Sequence, residues 1–147
     1  MTRIMSLVAA LALSGAAQWA IAENATHVDG YTIHHNALTT DSLSPQVAKA
    51  YNIQRSKNRG LLTVSVLKDQ EGTTGVPMKA LIKARATNLS GQLREIDLNE
   101  IDEGSAIYYV GDFRITNQET LNFQLEVTPE GTHHPYTATL SQEFFTE

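Results

Sequence analysis

The sequence LNFQLEVT at residues 121–128 decides the fold class. Apolar and polar residues alternate along it, so that Leu, Phe, Leu and Val share one face while Asn, Gln, Glu and Thr share the other. Successive side chains of a β-strand point to opposite faces, and a period of two is therefore typical of a half-buried strand. The stretch predicts a strand with one face in a hydrophobic core.

The same period recurs along the chain, between segments rich in Gly, Pro, Asn and Asp. The further runs lie at 31–36, 62–66, 78–84, 92–98, 107–115 and 136–145. Several short strands with frequent turn signals favour a β-sandwich. We therefore expect an all-β fold, an immunoglobulin-like sandwich of two antiparallel sheets with about seven strands.

One hairpin can be placed in register from its turn and its charges. If 89–91 is a three-residue loop, Gly91 takes the left-handed conformation that favours glycine. The register then pairs Arg85 with Glu95 and Lys83 with Asp97 on one face, and Ala84 with Ile96 and Ile82 with Leu98 on the other. A slip by one residue would place Arg85 opposite Arg94 and mix the two faces, which disfavours that alternative.

A single helical signal occurs, at residues 44–51. Ser44 suits the N-cap, and Pro45 suits the first helical position. Val47 and Tyr51 would lie on one face of the helix. We expect one short helical turn that covers an end of the sheet.

Composition narrows the class of protein. The chain has 147 residues, no Cys and a net charge of −5. This length suits one domain, and the acidic balance disfavours nucleic-acid binding. Without Cys there is no disulfide, no thiolate metal ligand and no lipid-modified N-terminal Cys.

The charge is distributed unevenly along the chain. Residues 23–94 hold nine Lys/Arg and five Asp/Glu, whereas residues 95–147 hold one Lys/Arg and eleven Asp/Glu. Basic early strands that lie beside acidic later strands would explain this asymmetry.

Residues 1–22 have the pattern of a signal peptide. Arg3 supplies a positive start, an apolar run follows, and the segment ends in Ala20-Ile21-Ala22. Signal peptidase cleaves after such a small-x-small pattern. The apolar run is too short and too interrupted for a membrane anchor. We expect cleavage after Ala22, and a soluble, periplasmic single β-sandwich domain over 23–147 with no transmembrane segment.

The sharpest surface feature is the basic segment around Arg55, Lys57 and Arg59. Three cations within five residues could hold a carboxylate or a phosphate. The alternative is that these residues form the solvated start of a strand and that their charges pair with the acidic half of the chain. Tyr108 is a further candidate, since it lies opposite the core-facing residues of its strand. It could anchor a partner or pack locally.

The histidines offer a metal-handling alternative. His34 together with His133 or His134 could bind copper or zinc, because imidazole is a common metal ligand. Neighbours on a strand point to opposite faces, however, so His35 is expected to face the core with Ile33.

The sequence contains no nucleophile elbow, zinc-protease motif or phosphate loop, and we predict neither an enzyme nor a cofactor. A hydrolase whose residues meet only in space is a third possibility.

An ordered set of short strings resembles a known family. The strings are Tyr31-x-Ile33-His34, Leu43-Ser44-Pro45, Val47-Ala48 with Tyr51, Arg55 to Gly60, Asn88-Leu89, and Glu103-Gly104-x-Ala106 to Tyr109. They are similar to a family of small exported proteins of Gram-negative bacteria, domain of unknown function 4426, over nearly all of 31–128. The resemblance implies a periplasmic domain with no assigned activity, cofactor or catalytic residue. In that family an aromatic residue often stands at the position of His35.

Residues and resemblance together predict a non-catalytic periplasmic binding or interaction module. Its expected partner is another periplasmic or envelope protein. Its candidate binding residues are Arg55, Lys57, Arg59, Tyr108 and His34.

Overall fold

A computed structural model describes residues 24–147 of the protein. The signal peptide expected at residues 1–22 lies outside these residues. The strands are β1 (Ala25–Val28), β2 (Tyr31–Thr39), β3 (Arg59–Lys68), β4 (Val76–Met78), β5 (Ala80–Asn88), β6 (Leu93–Ile96), β7 (Asn99–Asp102), β8 (Ile107–Arg114), β9 (Glu119–Pro129) and β10 (Tyr136–Phe144). A 3-10 turn (Thr40–Ser42) and one short helix, α1 (Pro45–Ala50), lie between β2 and β3.

The strands form two antiparallel sheets that enclose one core. The six-stranded sheet has the order β1-β2-β3-β8-β7, with β4 also paired to β3, and the four-stranded sheet has the order β10-β9-β5-β6. The core takes residues from both sheets, such as Val64 of β3 and Leu125 of β9. The predicted all-β sandwich with one short helix is therefore confirmed.

The alternation along β9 separates buried from more exposed side chains. Its four apolar residues at 121–127 are 0–1% exposed, while the residues between them are half-buried or exposed. Phe123 packs edge-to-face against Phe113 and Phe144, with ring centroids 5.4 and 6.4 Å away. The ring of Phe113 also covers Gly60 on the neighbouring strand, where a Cβ would overlap it. Such aromatic clusters add to the stabilisation given by buried apolar area.

The structure has three short strands in addition to the seven that the sequence indicates. They are β1, β4 and β7, of four, three and four residues. The predicted run 78–84 is divided, because Met78 ends β4 and pairs with β3, whereas β5 begins at Ala80 in the other sheet. Edge strands this short contain too few residues to show a period of two, and Pro77 argues against a strand at β4. Backbone pairing to a long neighbour defines them instead.

The β5–β6 hairpin confirms part of the predicted register. Arg85 lies opposite Glu95 and Ala84 opposite Ile96, and Gly91 has φ +81°. The pairs Ile82–Leu98 and Lys83–Asp97 do not form, because β6 ends at Ile96 and the chain crosses to the other sheet. There β7 pairs with β8 from Asn99 onwards. Gly111 makes room for the crossing, since a Cβ at that position would collide with the Asp97 carbonyl group and Leu98.

Within residues 24–147, three ion pairs join the basic and acidic parts of the chain. They are Arg59–Asp112 at 2.7 Å, Lys79–Glu100 at 3.9 Å and Arg94–Glu119 at 2.9 Å. In each pair the cation precedes residue 95 and the carboxylate follows it. The fold therefore brings together the two charge populations that the sequence separates.

In the part of the chain from 24 to 147, no helix has the length and hydropathy needed to cross a membrane.

Candidate functional site

The connection between β2 and β3 is far longer than the topology requires. These strands are antiparallel neighbours, with Thr39 opposite Gly60. A hairpin of two to five residues usually joins such strands. Here residues 40–58, which we call the β2–β3 loop, contain the 3-10 turn, α1 and the basic segment. Surface loops on a rigid scaffold often carry binding residues.

The base of the loop is closed by reciprocal hydrogen bonds. The Thr40 hydroxyl donates to the carbonyl oxygen of Ser56 at 3.0 Å and accepts from the Ser56 amide at 2.8 Å. Thr40 is fully buried, so the loss of these bonds would leave its hydroxyl without a partner. An unsatisfied buried polar group costs about 1–3 kcal/mol. The two ends of the loop are thereby held together.

Arg55 fastens the start of the loop to its end. Its Nε donates to the Leu43 carbonyl oxygen at 2.7 Å, and its Nη2 donates to the Asp41 carbonyl oxygen at 2.9 Å. Charge-assisted hydrogen bonds of this kind are stronger than neutral ones. The structure therefore gives this guanidinium a positioning role inside the loop.

Helix α1 lies where the capping signal predicts it. The Ser44 hydroxyl accepts a hydrogen bond from the Val47 amide at 3.2 Å, and Pro45 is the first helical residue. Ala48 is buried, whereas Val47 is 39% exposed. One face of the helix is thus packed and the other is open to solvent.

The far end of the loop reaches the turn between β7 and β8. The Tyr51 hydroxyl donates to Oε1 of Glu103 at 3.1 Å. Burial, then this hydrogen bond, and then the nearby charge of Glu103 raise the pKa of Tyr51. Tyr108, half-buried in β8, lies close enough to Tyr51 to contribute to the same shift. The structure therefore brings Tyr108 to the loop, beside an aromatic residue that the sequence placed on the helix.

The other two cations of the basic segment differ in their surroundings. Arg59 forms its ion pair with Asp112 through Nε and is about one-third exposed. Lys57 is exposed in the turn before β3 and forms no ion pair or hydrogen bond with any residue between 24 and 147. Two of the three cations therefore have protein partners, and Lys57 faces solvent.

The three histidines of the metal-handling alternative are exposed, whereas His35 is buried. His34 is exposed on β2, and His133 and His134 lie in the loop before β10, where the His134 ring packs against Tyr136 at 5.1 Å. Within residues 24–147, no group of three or more His, Asp or Glu side chains is placed to hold a metal ion. His35 is 5% exposed, which agrees with its predicted orientation towards the core.

A polar cluster that sequence reasoning missed lies at one end of the core. The Tyr109 hydroxyl accepts from the Ala80 amide at 2.9 Å and donates to Oε1 of Glu100 at 2.8 Å, and Lys79 pairs with the same carboxylate. Burial is the main reason that the pKa of Tyr109 rises to about 12. The sequence marks Tyr109 only as a core-facing residue, because its partners come from two other strands.

Comparison with known proteins places the chain in a family. It matches DUF4426, a domain of unknown function, over residues 25–147. No curated protein matches the chain. The crystal structure of a DUF4426 family protein from Pseudomonas aeruginosa is similar, with a TM-score of 0.70 and 27% identity, covering 84% of this chain and 94% of that one.

Two structures of FetP from uropathogenic E. coli strain F11 are similar in fold. The first has a TM-score of 0.58 and 9% identity, and covers 82% of this chain and 92% of FetP. The second, a copper-bound variant, has a TM-score of 0.57 and 10% identity, with coverages of 82% and 93%. At these identities the similarity concerns the fold alone, and copper binding is a property of FetP. The family match, in contrast, is a match of sequence over residues 25–147, which is most of the chain. The chain therefore belongs to the DUF4426 family.

Proposed function

We propose that the protein is a non-catalytic interaction module of the periplasm, which binds another envelope protein through its β2–β3 loop. The observation that carries the proposal is the loop itself. It spans 19 residues between paired strands and is closed at its base by Thr40 and Ser56. A hairpin of two to five residues would suffice to join the two strands, and binding residues are disproportionately found on loops that a rigid scaffold positions.

The loop presents side chains suited to a partner surface. Val47 is exposed on α1, and the Lys57 ammonium group is exposed in the turn before β3. Tyr51 and Tyr108 supply half-buried aromatic area at the far end of the loop. Aromatic residues at the centre of an interface with a charged rim are typical of protein–protein contacts.

The loop is also held in place before a partner arrives. Arg55 and Thr40 fix its base, and the Tyr51–Glu103 hydrogen bond fixes its far end. A preorganised loop loses less conformational entropy on binding than a mobile one. The hydrogen bonds that the basic segment makes within the loop therefore support binding indirectly.

A two-residue variant tests the proposal. Val47→Asp combined with Lys57→Glu changes the surface without touching a residue that closes the loop. We expect the capture of envelope proteins by the purified domain to fall at least about tenfold, as for the loss of a hot spot. The melting temperature should change little, because both side chains are solvent-facing.

Thr139→Glu is the matched control, since Thr139 is exposed on the other sheet. It should capture partners as the wild type does. Undiminished capture by the loop variant, or equal loss with Thr139→Glu, would contradict the proposal.

A further inference from the structure

The crossing of the chain from β6 to β7 leaves a groove beside β5. We call it the β5–β6 groove. It is an open groove of about 510 Å³ whose apolar lining is Ile82, Ala84, Ile96 and Leu98. The crossing residues follow Ile96 across the space between the sheets. Three residues at about 3.3 Å each span the roughly 10 Å that separates packed sheets.

The groove contains an unpaired piece of strand edge. Along β5 the amide of Asn88 bonds to Gln92, and Ala86 and Ala84 pair with Arg94 and Ile96. Even-numbered residues of β5 therefore direct their backbone groups away from β9, because these directions alternate along a strand. The amide of Ala80, on the same side, is taken by the Tyr109 hydroxyl. Ile82 lies between these positions, and no strand faces its N–H and C=O among the described residues.

Charged side chains surround this edge without pairing. Lys83 and Arg85 belong to β5, Glu126 to β9, and Glu95 and Asp97 to the departing chain. Arg85 lies opposite Glu95, and Lys83 opposite Glu126. Even so, none of the five takes part in an ion pair with any residue in 24–147. The carboxylates outnumber the cations, and both kinds of charge are available to a ligand.

We propose that the β5–β6 groove binds the free N-terminus of an extended peptide. One residue of an antiparallel strand can exchange both of its backbone hydrogen bonds with one residue opposite, which matches the single free position at Ile82. An antiparallel ligand runs in the direction of β6. Residues 96–98 of the protein occupy the space on the N-terminal side of such a ligand. The first residue of the ligand must therefore lie opposite Ile82.

The charges suit this orientation. The ligand's α-ammonium group would lie beside the carboxylates of Glu95 and Asp97, which accept charge-assisted hydrogen bonds. Its first carbonyl group would accept from the Ile82 amide. The side chain of the ligand's second residue would face outwards beside Leu81, which is 66% exposed. If that side chain is apolar, it and Leu81 would shield each other from water. The groove lies on the sheet opposite the β2–β3 loop, so this inference is independent of the function proposed for that loop.

Titration with a defined peptide tests the inference. The probe is the tripeptide Ala-Leu-Ala with an amidated C-terminus, added to 15N-labelled protein and followed by two-dimensional NMR. We expect saturable shifts of the amide signals of Ile82, Lys83 and Asp97. N-acetylation of the probe should weaken binding about tenfold or more, because it removes the ammonium group.

Two variants sharpen the test. Asp97→Asn should weaken the binding of the free-amine probe severalfold and leave the acetylated probe unaffected. Glu143→Gln, an exposed carboxylate on β10, is the matched control and should bind as the wild type does. No shift at Ile82, equal binding of the acetylated probe, or equal loss in Glu143→Gln would overturn the inference. None of these results bears on partner capture by the loop.

Discussion

At the scale of single residues, His35 links the core to the first strand. Its Nε2 lies 3.0 Å from the Thr26 hydroxyl of β1, while its Nδ1 is buried without a hydrogen-bond partner. Burial is the main cause that lowers the pKa of His35 from its ordinary value of 6.5. The folded protein therefore favours the neutral form of this imidazole.

This arrangement predicts that acid destabilises the fold. Above the unfolded pKa of 6.5 the ring is neutral in both states and gives no pH dependence. As the pH falls below that value, the unfolded state binds the proton first and the free energy of unfolding decreases until the lowered folded pKa is reached. In His35→Phe the difference in unfolding free energy between pH 7.5 and pH 5.0, measured by urea denaturation, should be smaller than in the wild type.

The exposed His133, in the loop before β10, supplies the control for this measurement. It is not among the groups that shift the pKa of His35, so His133→Phe should leave a larger pH dependence than His35→Phe does. An unchanged pH dependence in His35→Phe would show that the buried ring does not cause it.

The sequence could predict the orientation of His35 but not its partner. Alternation along residues 31–37 places the ring on the core side with Ile33 and Ala37. Thr26 belongs to a four-residue edge strand with no visible period, so its approach to the ring depends on tertiary pairing. The same limit applies to Arg55, whose carbonyl partners at 41 and 43 are fixed only when the loop closes.

At the scale of secondary-structure elements, Arg94 ties the two sheets together. From β6 it donates to both carboxylate oxygens of Glu119, at 3.1 and 2.9 Å, and also to the Arg114 carbonyl oxygen at the end of β8. The Glu119 side chain is only 10% exposed. The guanidinium group thus satisfies acceptors from both layers of the sandwich.

Removing this cation should be costly. We expect Arg94→Met to lower the free energy of unfolding by about 2–4 kcal/mol, because a largely buried carboxylate then loses its charged partner and keeps a 3.4 Å hydrogen bond from Asn88. The double variant Arg94→Met with Glu119→Met should recover part of the loss, since no uncompensated charge remains. Chemical denaturation of the three variants measures both effects.

The Arg59–Asp112 pair provides a matched comparison. Its side chains are 34% and 41% exposed, and Arg59→Met should therefore cost less than about 1 kcal/mol. Equal costs at the two sites would contradict the assignment of Arg94 as the link between the sheets.

The β5–β6 hairpin also shows which features of an element a local sequence pattern can predict. Turn chemistry at Gly91 and the alternation of 82–86 are local, and they gave the register of the β5–β6 hairpin correctly as far as Ile96. A period of two assigns faces but does not say which sheet a strand joins. The departure of the chain at Asp97 depends on Gly111 in a distant strand, and the groove beside Ile82 was therefore not predictable from the sequence.

At the scale of the whole molecule, the two charge populations meet within one sandwich. The sequence predicted that basic early strands lie beside acidic later ones, and the ion pairs of Arg59, Lys79 and Arg94 agree with this. It also predicted the basic segment as a surface feature. It could not predict that Arg55 closes a loop while Lys57 faces solvent, because that division depends on where the loop ends meet.

The central claim is that the β2–β3 loop is the surface that meets a partner in the cell. Photo-cross-linking in intact cells tests it most directly, with a photoreactive amino acid placed in turn at positions 47, 57 and 139. We expect cross-linked adducts of one molecular mass from positions 47 and 57, and none from position 139 on the opposite sheet. Adducts from position 139 alone, or equal adducts from all three positions, would contradict the claim.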